Sequence, residues 1–308
     1  MLTYGDNMIS TVNKKCNINK YTGNGWNLEH TTKYVIDINK KLVEVGYFLH
    51  FLEKKDSTEF VKEVIELPSS RGCPIKCSYC ASSYINDYKQ LTSDEIVELF
   101  NYTYNGGYKN DQYLLVTMTG IGDYTLCYHN INKALLRINK VNSNVHFTVS
   151  SCIWNKESIE AVSELNDCVD IRSINITYLS DNPSIVKKLI KYYCNHKYDA
   201  NGLVEEIVNT SLNDLRVNYL MIKDINDNLD SYEAFAKTFE PLKKRLRVRI
   251  SKMNKTIAST RAGLCSPRLQ DMMSLKEYLE SNGFTAYLFY SDEDDCMNCG
   301  QLLTEEVF

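Results

Sequence analysis

The sequence has no apolar run long enough to cross a membrane. None of its segments approaches the roughly 20 consecutive apolar residues that a spanning helix needs. Residues 1–20 are polar and lack the apolar stretch that a secretory signal peptide requires. We therefore expect a cytoplasmic protein without a membrane partner, whose cysteines lie in a reducing compartment.

A strong excess of charge of either sign is also absent. The formal net charge is −4, so no overall basic field favours nucleic acid, and any RNA contact needs a local basic patch. Internal repeats and long linkers are lacking as well. The 308 residues fit one large α/β domain, or a barrel-sized domain with a small extension, and an apolar fraction of 44% can build a substantial core.

Cysteine, in contrast, is abundant. Eleven thiols in a reducing compartment favour metal binding or redox catalysis over a disulfide framework. Three of them, Cys73, Cys77 and Cys80, have the spacing CxxxCxxC within a short loop. Thiolates are soft ligands that select iron–sulfur clusters, zinc or copper(I).

This cysteine loop supplies three ligands where a closed tetrahedral site needs four. The next cysteine, Cys127, stands alone and is too distant in sequence to complete a zinc ribbon. A four-iron cluster held by three cysteines leaves one iron open for a substrate or cofactor. A structural zinc ion, or a chance group of buried cysteines, is the alternative.

Strand and helix patterns alternate along most of the chain. Residues 1–30 look poorly structured, and an antiparallel hairpin then leads into the cysteine loop. Strands are predicted at 33–37, 43–49, 60–67, 113–118, 145–150, 171–177, 215–222, 246–251 and 284–290. Helices are predicted from 94, with Thr92 or Ser93 as N-cap, and then at 129–142, from 156, and at 183–195, 203–211, 230–239 and 269–281. About six β units, most followed by a helix, predict a parallel sheet curled into an open barrel.

The carboxyl ends of such strands meet at one face, where ligands bind. The cysteine loop follows the first barrel strand, and Gly120 and Gly122 follow the second, where bare backbone can approach a ligand closely. Small polar residues end the later strands: Ser150, Ser151, Thr177 and Asn254. We expect these positions to hold the ribose, amine and carboxylate of one cofactor, although each alone also fits a solvated strand end.

Cysteines at this spacing, with the aromatic Tyr79 before the last one, resemble the radical S-adenosylmethionine (SAM) superfamily. The resemblance implies a partial (β/α)6 barrel, here with an N-terminal hairpin extension and a C-terminal cysteine-bearing tail. It also implies a 4Fe-4S cluster on Cys73, Cys77 and Cys80, whose open iron chelates SAM. An electron from a donor such as flavodoxin or ferredoxin then yields a 5'-deoxyadenosyl radical, and Tyr79 would screen the cluster.

The C-terminal tail narrows this resemblance. Residues 294–302 resemble the end of the RlmN and Cfr group of RNA adenine methyl synthases, in which a cysteine before Gly-Gln-Leu carries a methyl group. Residues 120–123 resemble the group's Gly-Met-Gly-Glu element, and residues 253–254 its Phe-Asn. The resemblance therefore implies that Cys299 is the methyl carrier. It implies SAM contacts for Gly120, Gly122, Asp123, Ser150, Thr177 and Asn254.

Three departures from that group affect the catalytic assignment. The group's resolving cysteine, seven residues before the first cluster thiol, is replaced here by Glu66. If a few residues are deleted there, Glu63 instead matches a glutamate that serves the group as a base. Cys296 and Cys299 form a CxxC pair that could resolve a covalent adduct; an auxiliary metal site or ordinary tail thiols are the alternatives. The chain is also shorter ahead of the cysteine loop than the RNA enzymes, which use that length to bind RNA.

One stretch of the chain is locally basic. Between residues 243 and 250, arginines alternate with aliphatic residues. A strand there would bury Leu246, Val248 and Ile250 against helices and turn the arginines to the barrel interior. The arginines would then clamp a phosphate or carboxylate, or form internal ion pairs.

Together these patterns predict a radical SAM enzyme, first of all a methyltransferase acting on an unactivated carbon of an RNA adenine or a related substrate. Non-methylating modification of a small molecule or peptide is the alternative, and an iron–sulfur sensor or binding protein is the alternative of another class. We expect three parts: a hairpin extension at 1–60, the barrel at 61–255, and a helix, strand and CxxC tail at 256–308.

Overall fold

The computed structural model describes residues 9–20, 27–107, 113–142, 144–290 and 300–303. Four antiparallel strands come first: β1 Ile9–Lys20, β2 Leu28–Ile38, β3 Lys41–Lys54 and β4 Ser57–Glu66. The hairpin predicted before the cysteine loop is confirmed by β3 and β4. The prediction of poor structure at 1–30 is wrong for β1, which pairs along its length with β2. Strand β1 lies at the edge of the sheet, and a polar composition is typical of an edge strand.

The remaining chain adds two short strands and then alternating strands and helices. The cysteine loop lies between β5 Ser70–Arg71 and β6 Lys89–Gln90, which pair with each other. The later strands are β7 Leu114–Met118, β8 Val145–Ser151, β9 Ile171–Tyr178, β10 Leu215–Met221, β11 Leu246–Lys252 and β12 Thr285–Phe289. The helices are α1 Ser93–Asn105, α2 Tyr124–Val141, α3 Lys156–Asn166, α4 Pro183–Leu189, α5 Ala200–Val208, α6 Leu229–Phe239, α7 Ile257–Arg261 and α8 Leu269–Ser281.

Within the described ranges, the main sheet has ten strands in the order β1-β2-β3-β4-β7-β8-β9-β10-β11-β12. Pairing is antiparallel from β1 to β4 and parallel from β4 to β12. This confirms the predicted α/β class with a mostly parallel sheet. The first predicted part boundary, between residues 60 and 61, falls inside β4, so the N-terminal strands continue the barrel sheet; the three-part division stays a prediction.

Side-chain caps fix where helices begin. Thr92 caps α1 as predicted, and its hydroxyl and Glu95 bond reciprocally to each other's main-chain N–H groups. Helix α2 begins at Tyr124 and not at 129, because Asp123 is its N-cap and accepts the Thr125 N–H at 2.9 Å. The sequence patterns did not predict α7.

Alternation along the strands separates an apolar layer from a polar interior. One set of side chains packs under the helices and forms the main core, which includes Ile65, Val116, Phe147, Val217 and Val248. The other set faces the barrel interior and includes Glu66, Thr177, Asn218 and Arg249. Among the helices of the described ranges, none has the length and apolarity needed to span a bilayer.

Candidate active site

A cavity lies at the carboxyl ends of the parallel strands. The cysteine loop, the strand ends and part of the C-terminal tail form its wall. It gathers most of the site residues predicted from sequence: Cys73, Cys77, Cys80, Gly120, Gly122, Asp123, Ser150, Thr177 and Asn254. Residues far apart in the sequence thus meet at one face, which is what a parallel barrel requires of strand ends.

Hydrogen bonds to two neighbouring segments hold the cysteine loop. The Ser78 N–H donates to the Leu189 carbonyl oxygen at 2.8 Å, at the end of α4. On the other side, Lys76 has a positive φ of 56° and donates from Nζ to the Ser83 carbonyl oxygen at 2.5 Å. The loop is therefore fixed by contacts that do not use the cysteine side chains.

The three thiols influence one another electrostatically. Burial raises the pKa of Cys73 well above its usual value, and the nearby Cys77, Asp123 and Cys80 raise it further. Thiolates this close repel one another, so a cationic centre is needed to keep them ionised together. In the part of the chain that the structure describes, no three His, Cys, Asp or Glu side chains are arranged to hold one metal ion. By donor chemistry, three soft thiolates in one loop fit a four-iron cluster, in which each would bind a different iron and one iron would stay open.

The glycine turn between β7 and α2 packs against the chain that enters the cysteine loop. The Ser69 N–H donates to the Ile121 carbonyl oxygen at 2.8 Å. A Cβ at Gly120 would lie 2.9 Å from the Leu67 carbonyl oxygen. At Gly122, where φ is +115°, a Cβ would lie 2.0 Å from Ser69 Oγ. Both positions require glycine, so the turn and the loop form one packed unit.

Asp123 lines the cavity, but its carboxylate already has protein partners. It accepts hydrogen bonds from Ser151 Oγ at 2.7 Å, from the Cys152 N–H at 2.9 Å and from the Thr125 N–H at 2.9 Å. Burial nevertheless raises its pKa to about 6. These bonds tie the end of β8 to the start of α2, and a direct SAM contact of Asp123 stays a prediction.

Sequence reasoning missed several residues of the cavity wall. Cys152 directly follows the two predicted serines, and its thiol donates to Asp123 Oδ2 at 3.6 Å. A hydrogen bond with Cys77, together with burial, raises the Cys152 pKa well above its usual value. Glu29 and Lys33 reach the cavity from β2. The strand end was an available signal for Cys152, whereas nothing in the sequence marked the two β2 residues.

The structure separates Glu63 and Glu66, the two β4 glutamates that the sequence singled out. Glu66 lines the cavity and accepts a hydrogen bond from Thr119 Oγ1 at 2.7 Å. Glu63 is fully buried beside Gly107, at the end of α1, and accepts a hydrogen bond from Tyr47 OH at 2.7 Å. Residues three apart on a strand face opposite sides. The structure therefore does not bring Glu63 together with the other predicted site residues, and its role as a base stays a prediction.

The basic stretch follows the prediction only in part. Its aliphatic residues are buried, as predicted: Leu246, Val248 and Ile250. Arg249 reaches the cavity wall, where its Nε donates to Asn218 Oδ1 at 3.1 Å. An interior position is wrong for Arg245, whose Nη2 donates to the Thr210 carbonyl oxygen at 2.8 Å just beyond α5. Carbonyl groups left open near a helix end attract a guanidinium.

The two tail cysteines, Cys296 and Cys299, lie outside the described residues. The described tail begins at Gly300, whose φ is +82°. The Gly300 carbonyl oxygen accepts the Ala81 N–H at 2.9 Å, directly after the cysteine loop. Gly300, Gln301 and Leu302 line the cavity. The residue bonded to Cys299 is thus fixed beside the loop, while the roles of both tail thiols stay predictions.

Sequence comparison relates the chain to a known family. Residues 67–244, more than half of the chain, match the family model of the radical SAM superfamily. A probable dual-specificity RNA methyltransferase RlmN of Thermotoga neapolitana is 26% identical over 244 residues, covering 75% of this chain and 66% of that protein. The RlmN of Buchnera aphidicola is 23% identical over 293 residues, covering 90% of this chain and 76% of that protein. The chain thus spans about two thirds to three quarters of the length of these relatives.

Solved structures share the fold. A radical SAM methyltransferase from Sphaerobacter thermophilus superposes with a TM-score of 0.73 at 18% identity, covering 96% of this chain and 81% of that one. SuiB of Streptococcus suis, bound to SAM, gives a TM-score of 0.52 at 14% identity, covering 73% of this chain and 50% of that one. These similarities confirm the predicted partial barrel.

Proposed function

Because the chain belongs to the radical SAM superfamily, we propose that it is a methyltransferase that delivers a methyl group from Cys299 to an unactivated carbon, with an RNA adenine as the first candidate. The family implies a 4Fe-4S cluster, SAM and an external reductant. When bound, the cluster and SAM supply a 5'-deoxyadenosyl radical. Within this chain, Cys73, Cys77 and Cys80 would hold the cluster.

The position of the tail carries the proposal. Gly300 lines the same cavity as the three loop cysteines. Cys299 directly precedes Gly300 in the sequence. A covalent carrier must receive the methyl group and deliver it with the same sulfur, so its attachment point must lie where the cofactor and substrate sites meet.

The strand ends supply the groups that SAM needs. The bare backbone at Gly120 and Gly122 allows close approach. The hydroxyls of Ser150 and Thr177 and the amide of Asn254 provide donors and acceptors for a ribose and a carboxylate. We assign these five residues to SAM, with Asp123 holding the glycine turn in register with β8.

Two cation–aromatic pairs near the cavity mouth support a nucleotide substrate. The Arg249 guanidinium lies 5.0 Å from the ring centre of Phe289, and the Lys252 ammonium lies 4.9 Å from that of Tyr290. A cation beside a ring suits a nucleotide, since phosphate binds the cation and the base stacks on the ring. The relatives quoted above are named as RNA methyltransferases. Because the chain has a net charge of −4, RNA binding would need a local basic feature such as these two cations.

Labelled SAM tests the proposal. The protein is reconstituted with iron and sulfide without oxygen, reduced, and given SAM with a deuterated methyl group. We expect 5'-deoxyadenosine, and a labelled methyl group on Cys299 by peptide mass spectrometry. The label should then move to adenine when RNA is added. Cys299→Ala should abolish the label, and Cys77→Ala should abolish both products.

Other outcomes separate the alternatives. Formation of 5'-deoxyadenosine without a label on Cys299 contradicts methyl transfer and favours non-methylating radical chemistry. A loaded cluster without any SAM product favours a sensor or binding protein. Cys296→Ala tests whether the second tail thiol releases the product: repeated turnover by that variant contradicts a resolving role.

A further inference from the structure

Lys33 and Glu44 form a buried ion pair on the interior face of the N-terminal strands. Lys33 Nζ lies 2.9 Å from Glu44 Oε1, and the two side chains are 4% and 5% exposed. In the antiparallel register of β2 and β3, Val35 pairs with Glu44. Lys33 lies two residues before Val35 on the same face of β2 and is therefore a diagonal neighbour of Glu44. Removing two charges from water is unfavourable unless their remaining hydrogen-bonding capacity is also used.

The C-terminal tail uses that capacity. Lys33 Nζ donates to the Gln301 carbonyl oxygen at 2.8 Å, and Glu44 Oε2 accepts the Leu303 N–H at 2.7 Å. The Gln301 side chain in turn donates to the Lys255 carbonyl oxygen at 2.8 Å. Each charge of the pair therefore holds one main-chain group of the tail. Charge-assisted hydrogen bonds of this kind are stronger than neutral ones and fix the peptide in one position.

Apolar contacts fix the same segment from both sides. Leu303 is fully buried and packs against Val35 of β2. Leu302 is buried in a small cluster with Ala81, next to the cysteine loop. The tail is thus held between the N-terminal strands and the loop.

The tail and the ion pair stabilise each other. Burial raises the pKa of Glu44, whereas Lys33 and the Leu303 N–H oppose that rise. The tail amide is therefore one of the groups that keep the carboxylate ionised. Without the tail, each charge would lose one hydrogen-bond partner, Gln301 or Leu303.

We propose that β2 and β3 are a docking site for the tail and that Lys33 and Glu44 are positioning residues for the reaction at Cys299. This inference rests on the proposed function, in which Cys299 carries the methyl group. The pair anchors the chain two and four residues beyond Cys299, at Gln301 and Leu303. A carrier sulfur needs such an anchor, because a misplacement of about 1 Å lowers a rate by roughly 100-fold.

Lys33→Met tests the docking site, because it keeps an apolar stem and removes the charge. Hydrogen–deuterium exchange of amides 301–303 measures docking, and labelled SAM measures methylation of Cys299. We expect tail exchange to rise by about tenfold or more and, at saturating SAM, Cys299 methylation to fall by about tenfold or more, with iron content unchanged. Lys33→Arg, which keeps the charge, should restore both.

The chain offers a matched control. Lys54 and Glu59 also pair across β3 and β4, at 2.7 Å, but both side chains are more than half exposed, so Lys54→Met should change neither readout. Glu44→Gln is a milder second variant that keeps the side-chain volume and an acceptor, and it should raise tail exchange less than Lys33→Met.

Two results overturn the proposal: unchanged tail exchange in Lys33→Met, or a loosened tail with unchanged methylation of Cys299. A wild-type protein that never carries a label on Cys299 contradicts the proposed function instead. In that case the exchange measurement still tests the docking site by itself. Faster tail exchange in Lys33→Met supports the docking site, and unchanged exchange contradicts it.

Discussion

Replacing Gly122 by alanine should disrupt the site far more than the size of one methyl group suggests. The φ of +115° at this residue is a conformation that residues with a Cβ rarely adopt. The new Cβ would also lie 2.0 Å from Ser69 Oγ and 2.6 Å from Ser70 Oγ. Both serines are buried, and the Ser70 hydroxyl already donates to the Gly72 carbonyl oxygen at 2.7 Å.

These contacts determine how much Gly122→Ala should lower the free energy of unfolding. Backbone strain at such a φ costs about 1–3 kcal/mol. Forcing a methyl group into a packed site costs about 1–3 kcal/mol more, and breaking the Ser70 hydrogen bond about 1 kcal/mol. We therefore expect Gly122→Ala to lower the free energy of unfolding by about 3–7 kcal/mol. Because the serines enter the cysteine loop, SAM affinity should fall as well.

Gly263 provides the control for backbone strain alone. Its φ is +67°, and no heavy atom of the described residues lies within 4 Å of the Cβ that an alanine would add. Gly263→Ala should therefore cost about 1 kcal/mol and leave SAM binding intact. Urea unfolding of the metal-free protein and equilibrium dialysis with SAM measure the two effects. Equal unfolding free energies for the two variants would refute the steric reasoning.

Three further predictions follow from other elements. Burial, and then the charge of Arg216, lowers the pKa of Lys62 to about 8. The folded state therefore binds that proton less tightly than the unfolded state, and between about pH 7 and pH 10 the wild type should gain about 2 kcal/mol over Lys62→Met; a pH-independent difference in urea unfolding would contradict this. Thr92→Ala removes the N-cap of α1 and should lower the urea unfolding free energy by about 1 kcal/mol, and an unchanged midpoint would show that this cap is dispensable. Because Glu66 lines the cavity whereas Glu63 is buried beside Tyr47, we expect Glu66→Gln to lower turnover by about 100-fold and Glu63→Gln to leave turnover nearly unchanged; the opposite order would support Glu63 as the base.

The sequence was sufficient for the parts of the site that depend on local spacing. The three loop cysteines lie within one loop, the two glycines lie in the turn after β7, and Ser150 and Thr177 lie near the ends of β8 and β9. Their meeting follows from the rule that parallel strands present their carboxyl ends at one face. No detailed geometry was needed for this part of the prediction.

The sequence does not show which of the two glutamates, Glu63 or Glu66, faces the cavity. Strand β4 is parallel to β7 and is covered on both faces, so apolar residues occur on both sides of it. Its pattern therefore does not tell which residues face the helices. The register of β4 against its neighbours decides this, and that register is a tertiary property.

Two misses concern the ends and edges of elements. Helix α2 was predicted from residue 129, although an aspartate before a helical pattern is an N-cap signal, and α2 accordingly starts at Tyr124, directly after Asp123. The polar residues of β1 gave no strand pattern, because this edge strand needs only one partner and little apolar surface. In both cases, composition alone does not distinguish the observed structure from the predicted one.

The contact between Lys33 and Gln301 joins positions 268 residues apart. Closing so long a loop is entropically unfavourable until most of the intervening chain has folded. During synthesis on the ribosome, we therefore expect the barrel to assemble first and the tail to close one side of its cavity last. In pulse-labelled refolding, the Leu303 amide should be among the last to gain protection from hydrogen exchange. Early protection would show that the tail docks before the barrel is complete.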